Sequence, residues 1–133
     1  MKTIVRSVWA FFLVLGMSLI GSSCQNSNSN NEILTRESFM NIIAEEKLTM
    51  VDFYTTWCGP CKMMDPFVKE IKAENSDIVN VLQVDAEAQF DIASQYDIQG
   101  YPTVIFFKNG QLVHRAMGAM PKEELLNLVN KFK

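Results

Sequence analysis

The chain has 133 residues, 48% of them hydrophobic and 20% charged, and this length is typical of one folded domain. Such a composition excludes a disordered or low-complexity chain. The formal charge of -3 provides no basic surface for phosphate backbones, so we do not expect nucleic acid as a partner. The 3 cysteines are an odd number, and a framework of paired disulfides does not account for them.

A leader typical of exported proteins occupies residues 1–23. Lys2 and Arg6 make its start positive, residues 8–20 form an apolar run, and Gly-Ser-Ser at residues 21–23 offers small side chains for cleavage. The apolar run is shorter than the roughly 20 residues that span a membrane. A buried core helix or an uncleaved anchor is the alternative, but a core helix would carry polar residues at helical spacing. We therefore predict a signal peptide.

Cys24 directly follows these small residues, and the arrangement resembles that of bacterial lipoprotein precursors. The resemblance implies that Cys24 is lipidated, becomes the mature N-terminus and anchors the protein on the periplasmic side of a bacterial cell envelope. Ordinary cleavage before Cys24 is the alternative and would release a soluble protein. Residues 25–31 contain no apolar side chain. We therefore expect residues 24–31 to be a lipidated N-terminus with a flexible tether, and residues 32–133 to form the folded domain.

The folded domain alternates between helical and strand patterns. The sequence predicts helices at 35–48, 59–75, 89–96 and from Pro121 onwards, and strands at 49–55, 78–84, 103–108 and 111–117. Asn109-Gly110 joins the last two strands as a hairpin, and Ile33-Leu34 is a candidate for a weak first strand. This order of elements predicts an α/β sandwich with a parallel part and an antiparallel hairpin.

The residues that carry chemistry are Trp-Cys-Gly-Pro-Cys-Lys at positions 57–62, between a predicted strand and a predicted helix. The free N–H groups and the dipole at a helix N-terminus stabilise an anion, so Cys58 forms a thiolate more readily than a free cysteine. Gly59 and Pro60 fill the first turn, where the missing N–H of proline costs nothing. Residues three apart on a helix have Cα atoms about 5–6 Å apart, a separation that a disulfide tolerates. Cys58 and Cys61 can therefore switch between dithiol and disulfide.

This cysteine pair has two other possible interpretations, a structural disulfide and half of a zinc site. A structural disulfide gains stability by closing a long loop, and this loop is very short. A closed zinc site needs four ligands, and His114 is the one plausible third ligand once Cys24 is assigned to a lipid. We expect His114 to lie exposed on the hairpin strand, and we predict no metal.

Most of the domain, from about Thr35 to Lys133, resembles thioredoxins. The WCGPCK sequence is highly specific for that family, and further matches are Val51-Asp52-Phe53, Pro66, Tyr101-Pro102-Thr103 and Gly118-Ala119. The resemblance implies the thioredoxin fold, a central mixed sheet of strand order 1-3-2-4-5 flanked by helices.

The resemblance also implies a protein-disulfide reductase that needs no bound cofactor, because the two cysteines are the redox-active group. Cys58 would attack a substrate disulfide, and Cys61, the less exposed of the two, would resolve the mixed disulfide. Asp52 lies in an apolar run, so burial should raise its pKa and allow it to accept the proton of Cys61. A purely structural role for Asp52 is the alternative. Many bacterial thioredoxins have a lysine at the position aligned with Val81, and without that cation the pKa of Asp52 should rise further unless Lys47 reaches it.

The resemblance further implies a docking face for substrates around the dithiol. Pro102 is interpreted as a cis-proline that leaves backbone groups free to pair with a substrate strand, although it could simply break a loop. The predicted substrate-binding residues are Trp57, Val84, Tyr101, Pro102, Met117 and Gly118. Ordinary packing is the alternative for the side chains in this set.

The Gly-Pro dipeptide between the cysteines favours a reducing protein. It resembles that of thioredoxins, which have reduction potentials of about −270 mV, whereas strongly oxidising relatives have reduction potentials of about −120 mV. We therefore expect a monomer that reduces or isomerises disulfide-bonded exported proteins and receives electrons from a membrane dithiol carrier. An oxidase, or a tethered adaptor without redox turnover, is the alternative.

Overall fold

A computed structural model describes residues 34–133. The predicted signal peptide, the predicted lipidation site Cys24, the tether and Ile33 lie outside the described residues. Within the described part of the chain, no helix combines the length and the apolar character needed to cross a membrane.

One mixed sheet of four strands, in the order β2-β1-β3-β4, forms the centre of the fold. The strands are β1 (Leu48–Tyr54), β2 (Val79–Asp85), β3 (Thr103–Lys108) and β4 (Gln111–Met117). β1 is parallel to β2 and antiparallel to β3, and β3 and β4 form the predicted hairpin. This order equals that of the last four strands of the predicted five-stranded sheet. Leu34, at the end of the predicted weak first strand, is not in a strand.

Within residues 34–133, four α-helices flank the sheet: α1 (Arg36–Ile43), α2 (Gly59–Glu74), α3 (Phe90–Ala93) and α4 (Lys122–Phe132). α1 begins after Thr35, whose side chain accepts a hydrogen bond from Ser38 N, and it ends earlier than predicted. Pro66 lies inside α2 as predicted. Pro121 caps α4 from outside rather than opening its first turn, because its extended ψ of 157° precedes the helical residues.

The alternation of side chains along the strands creates two apolar clusters, one on each face of the sheet. On one face, Met50 and Val81 pack with residues of α2 and α4. On the other face, Phe53 and Val84 pack with residues of α1 and α3. Asp52 lies two residues after Met50 and therefore shares the α2 and α4 face. This placement brings its carboxyl group under the helix that carries the cysteines.

Candidate active site

The two cysteines lie at the N-terminus of α2, as predicted. Cys58 is the N-cap residue, Gly59 and Pro60 occupy the first turn, and Cys61 lies within that turn. The cysteines form a disulfide with a Cα–Cα distance of 5.3 Å, inside the expected range. The backbone N–H of Cys61 donates a hydrogen bond to Cys58 Sγ over 3.2 Å. The helix terminus therefore directs a donor at the sulfur that is expected to carry negative charge.

The expected difference in exposure between the cysteines is not observed. Cys58 and Cys61 are each 5% exposed in the disulfide form. Thr55, three residues before Cys58, holds the turn that leads into the helix, because Cys58 N–H donates a hydrogen bond to Thr55 O over 3.3 Å. The two cysteines therefore differ in their place on the helix rather than in their burial.

Asp52 is buried on the face of the sheet below α2, with 2% of its surface exposed. Burial raises its pKa from 3.8 to about 6, the Gln83 hydrogen bond lowers it, and the charge of Asp65 raises it. The predicted direction of the shift is confirmed. Oδ1 of Asp52 has no hydrogen-bond partner among the described residues, which leaves that oxygen able to accept a proton. Asp52 and Cys61 line the same cleft, which has a volume of about 470 Å³.

The side chain opposite Asp52 on the neighbouring strand is Gln83. The parallel register pairs Asp52 with Gln83 and places Val81 opposite Met50. Gln83 Nε2 lies 3.5 Å from Asp52 Oδ2 and donates to Asp65 Oδ1 over 3.0 Å. Lys47 does not reach Asp52, because its Nζ donates to the carbonyl oxygen of Ser76.

Sequence reasoning missed Gln83 and Asp65 as site residues. Two signals were present in the sequence. Asp65 follows Cys61 by four residues, and side chains at that spacing share one face of a helix. Gln83 follows Val81 by two residues, so both point to the same face of the sheet. Only the register of β1 and β2 shows that Gln83, and not residue 81, is level with Asp52.

The loop before β3 has the predicted cis-proline. The Tyr101–Pro102 peptide bond is cis. Gly118 follows β4 and has a φ of 101°, a backbone conformation that residues with a side chain rarely adopt. Its N–H donates a hydrogen bond to Pro102 O over 2.8 Å. Apart from its two chain neighbours, no described residue has an atom within 4 Å of the position of a Cβ on Gly118. Open space therefore remains beside this glycine, as a site for a substrate backbone requires.

Two side chains of the predicted docking face are exposed and apolar, and they lie on separate segments of the chain. Trp57 is 66% exposed and Met117 68% exposed. Trp57 packs edge-on against Tyr101, with ring centroids 6.1 Å apart, and its Nε1 donates to Glu87 Oε1 over 3.0 Å. The Sδ atom of Met117 lies 3.3 Å from a Cβ position on Gly100, in the loop that leads to the cis-proline. These contacts fit a docking face made of Trp57, Tyr101 and Met117.

The prediction that Val84 belongs to this docking face is wrong. Val84 is fully buried and belongs to the cluster that α1 and α3 cover. It pairs with Phe53 of β1, one residue beyond Asp52, so its side chain points to the opposite face of the sheet. Val84 therefore packs the core and cannot contact a substrate.

His114, the one plausible third ligand of the zinc alternative, does not have the exposure that the sequence predicts. His114 is half-buried rather than exposed, and its ring stacks on Phe132 with centroids 5.1 Å apart. No group of three or more histidine, cysteine or acidic side chains within residues 34–133 is arranged to hold a metal ion.

A reversible cysteine pair at a helix N-terminus, a buried carboxyl group beneath it and an adjacent cis-proline loop define a dithiol–disulfide redox protein. The thioredoxin family model matches residues 30–131. The chain therefore belongs to the thioredoxin family, whose members are disulfide oxidoreductases.

Curated relatives share this assignment. The chain is 40% identical over 99 residues to thioredoxin 1 of Synechococcus elongatus, covering 74% of this chain and 92% of the relative. It is also 40% identical over 99 residues to the thioredoxin of Rickettsia prowazekii, covering 74% of this chain and 94% of the relative. A chloroplastic thioredoxin Y of rice is 41% identical over 96 residues, which cover 71% of this chain and only 57% of the rice protein.

A solved structure has the same fold. The thioredoxin of Malassezia sympodialis superposes with a TM-score of 0.69 at 34% identity, covering 75% of this chain and 87% of that chain. The helices on both faces of the sheet and the cysteine pair that follows β1 are therefore arranged as in a thioredoxin.

Proposed function

We propose that this protein reduces disulfide bonds in exported proteins while it is tethered to the periplasmic side of a bacterial envelope. The observation that supports this proposal is the joint presence of a thioredoxin site and an export leader that ends at Cys24. An acyl chain on Cys24 followed by a polar tether would keep the domain near the membrane. A membrane dithiol carrier then supplies its electrons.

The proposed reaction transfers two electrons in two exchange steps. The Cys58 thiolate attacks one sulfur of the substrate disulfide, and the other sulfur leaves as a thiolate that takes a proton from solvent. Cys61 then gives its proton to Asp52, attacks Cys58 Sγ and displaces the second substrate sulfur, which is protonated in turn. The substrate ends as a dithiol, and the chain ends with the Cys58–Cys61 disulfide.

Asp52 suits the part of proton acceptor because its raised pKa lies nearer to neutral pH than that of an ordinary carboxyl group. Trp57, Tyr101 and Met117 would hold an extended substrate segment, with its backbone beside Pro102 and Gly118. The exposure of Trp57 and Met117 and the cis peptide bond support this part.

Insulin reduction and the Cys58–Cys61 reduction potential test the activity. We expect turnover with a chemical dithiol as electron source and a potential near about −270 mV. A potential above about −180 mV would instead favour an oxidase. Absence of turnover with intact thiols would favour the adaptor alternative, and the Cys58→Ala variant gives the background rate.

Mass spectrometry of protein extracted from membranes tests the anchor. We expect the mature chain to start at Cys24 with a diacylglyceryl group, and Cys24→Ser to appear in the soluble envelope fraction. An unmodified Cys24 in the membrane fraction would contradict the lipid anchor without touching the redox proposal.

A further inference from the structure

A short polar network connects the buried Asp52 to the protein surface. Gln83 Nε2 lies 3.5 Å from Asp52 Oδ2 and 3.0 Å from Asp65 Oδ1. Asp65 Oδ2 in turn pairs with Lys69 Nζ at 2.6 Å. One amide group therefore stands between a buried carboxyl group and a partly exposed one, whose side chain is 37% accessible.

Two regular spacings bring these side chains together. Gln83 faces Asp52 because the parallel register makes them partners on adjacent strands. Asp65 and Lys69 follow Cys61 at intervals of four residues on α2, and that spacing keeps all three on one side of the helix. The network thus lies in the cleft that Asp52 and Cys61 line.

The pKa values of the two carboxyl groups are shifted in opposite directions. Hydrogen bonds from Gln83 and Lys69 lower the pKa of Asp65, so it remains ionised near neutral pH. Burial raises the pKa of Asp52, and the charge of Asp65 raises it further. Gln83 acts in the opposite direction, because its N–H stabilises the ionised form of Asp52.

We propose that Asp65 and Gln83 are positioning residues that set the protonation of Asp52, Asp65 by favouring the protonated form and Gln83 by holding the ionised form. The inference rests on the proposed role of Asp52 as the proton acceptor for Cys61. With a valine at position 81, β2 presents the neutral Gln83 to Asp52 and no cation.

The other groups that surround Asp52 come from β1, α2, β3 and α4. The titratable side chains that line its cleft are Tyr54, Cys61, Lys62, Asp65 and Lys69. β3 places Val104 opposite Asp52, and α4 contributes Leu125 and Val129 to the same face. The pKa of Tyr54 is raised from 10.0, so Tyr54 stays neutral in the relevant range. Keeping the disulfide closed prevents Cys61 from titrating during the test.

Carboxyl NMR titration of Asp52 in the oxidised full chain tests the proposal. We expect Asp65→Asn to lower the Asp52 midpoint by roughly half a pH unit, because a like charge is lost, and Gln83→Leu to raise it by a similar amount, because a donor is lost. Asp77→Asn is the matched control, since Asp77 is exposed and outside the cleft. If Gln83→Leu does not fold, Gln83→Asn removes the bridge with a shorter polar side chain.

Equal midpoints in Asp65→Asn and Asp77→Asn would overturn the role of Asp65. An unchanged or lower midpoint in the Gln83 variant would overturn the role of Gln83. The pH profile of insulin reduction separates these failures from that of the proposed function. If Asp52→Asn has the same pH profile as wild type, the proton-acceptor role of Asp52 fails. If Asp52→Asn changes the pH profile but Asp65→Asn and the Gln83 variant do not, only the positioning role of Asp65 and Gln83 fails.

Discussion

The backbone N–H of Cys61 points at the sulfur of Cys58, and the two atoms are 3.2 Å apart. Cys58 caps the helix, so its sulfur also lies at the positive end of the α2 dipole. Among the described residues, no hydrogen-bond donor reaches the sulfur of Cys61, which lies within the first turn of α2. This asymmetry supports the proposal that Cys58 attacks the substrate and that Cys61 carries out the second step.

Single-cysteine variants should separate these two steps. Cys61→Ala can still attack a substrate but cannot release it, so we expect a stable mixed disulfide on Cys58. Cys58→Ala should form no such adduct under the same conditions. Non-reducing electrophoresis and mass spectrometry with a disulfide-bonded client measure both outcomes. An adduct that forms equally well on Cys61 would contradict the assignment.

Asp52 should make the stability of the oxidised protein depend on pH. Its folded pKa of about 6 exceeds its ordinary value of 3.8, so between these values the folded chain binds more protons than the unfolded chain. The free energy of unfolding therefore falls as pH rises through this window. At pH 7.5 we expect Asp52→Asn to be more stable than wild type by roughly 2–3 kcal/mol.

Urea unfolding at pH 7.5 and at pH 4 measures this difference. The gain of Asp52→Asn should shrink to roughly 0.5 kcal/mol at pH 4, where the carboxyl group is protonated in the folded wild type but still partly ionised in the unfolded chain. Asp77→Asn, at an exposed position, should show no comparable pH-dependent gain. A gain of equal size at both pH values would show that packing, rather than charge, is responsible.

The hydrogen bond from Trp57 Nε1 to Glu87 Oε1 should orient the indole for substrate docking. We expect Glu87→Ala to raise the KM for a protein disulfide roughly two- to fivefold, the usual worth of one hydrogen bond. The reduction of a small aromatic disulfide, which needs no docking face, should be unchanged. Glu87→Gln retains the acceptor oxygen and is the control. An equal rise in KM for Glu87→Gln would assign the effect to charge instead.

Gly118 should tolerate a side chain poorly for a conformational reason. Its φ of 101° disfavours any residue with a Cβ, although the surrounding space is open. We expect Gly118→Ala to lower the free energy of unfolding by roughly 1–2 kcal/mol, measured by urea denaturation. Gly59→Ala is the matched comparison, because Gly59 also has open space and lies in the first turn of α2. A similar loss at both positions would contradict the conformational explanation.

Local patterns predicted most of the elements and the reactive pair. Residues 57–62 specify a helix start with two cysteines one turn apart, and these features depend only on neighbours in sequence. The pairing of β3 with β4 followed from the Asn109-Gly110 turn for the same reason. The first predicted helix extended too far because residues 44–48 have no signal that separates the end of α1 from the start of β1.

The relations across the sheet required the tertiary structure. The resemblance implied that Val84 belongs to the docking face, but an apolar residue near the end of a strand can point to either face of the sheet. The register with β1 decided that it points into the α1 and α3 cluster.

The sequence by itself determined that this is a thioredoxin-type dithiol protein, because the chemistry of Cys58 and Cys61 resides in one short segment. Tertiary structure alone decided what surrounds Asp52. Its partner Gln83 lies on another strand, and its charged neighbour Asp65 lies on the helix above. The alignment of separate elements sets such contacts, and no local pattern encodes that alignment.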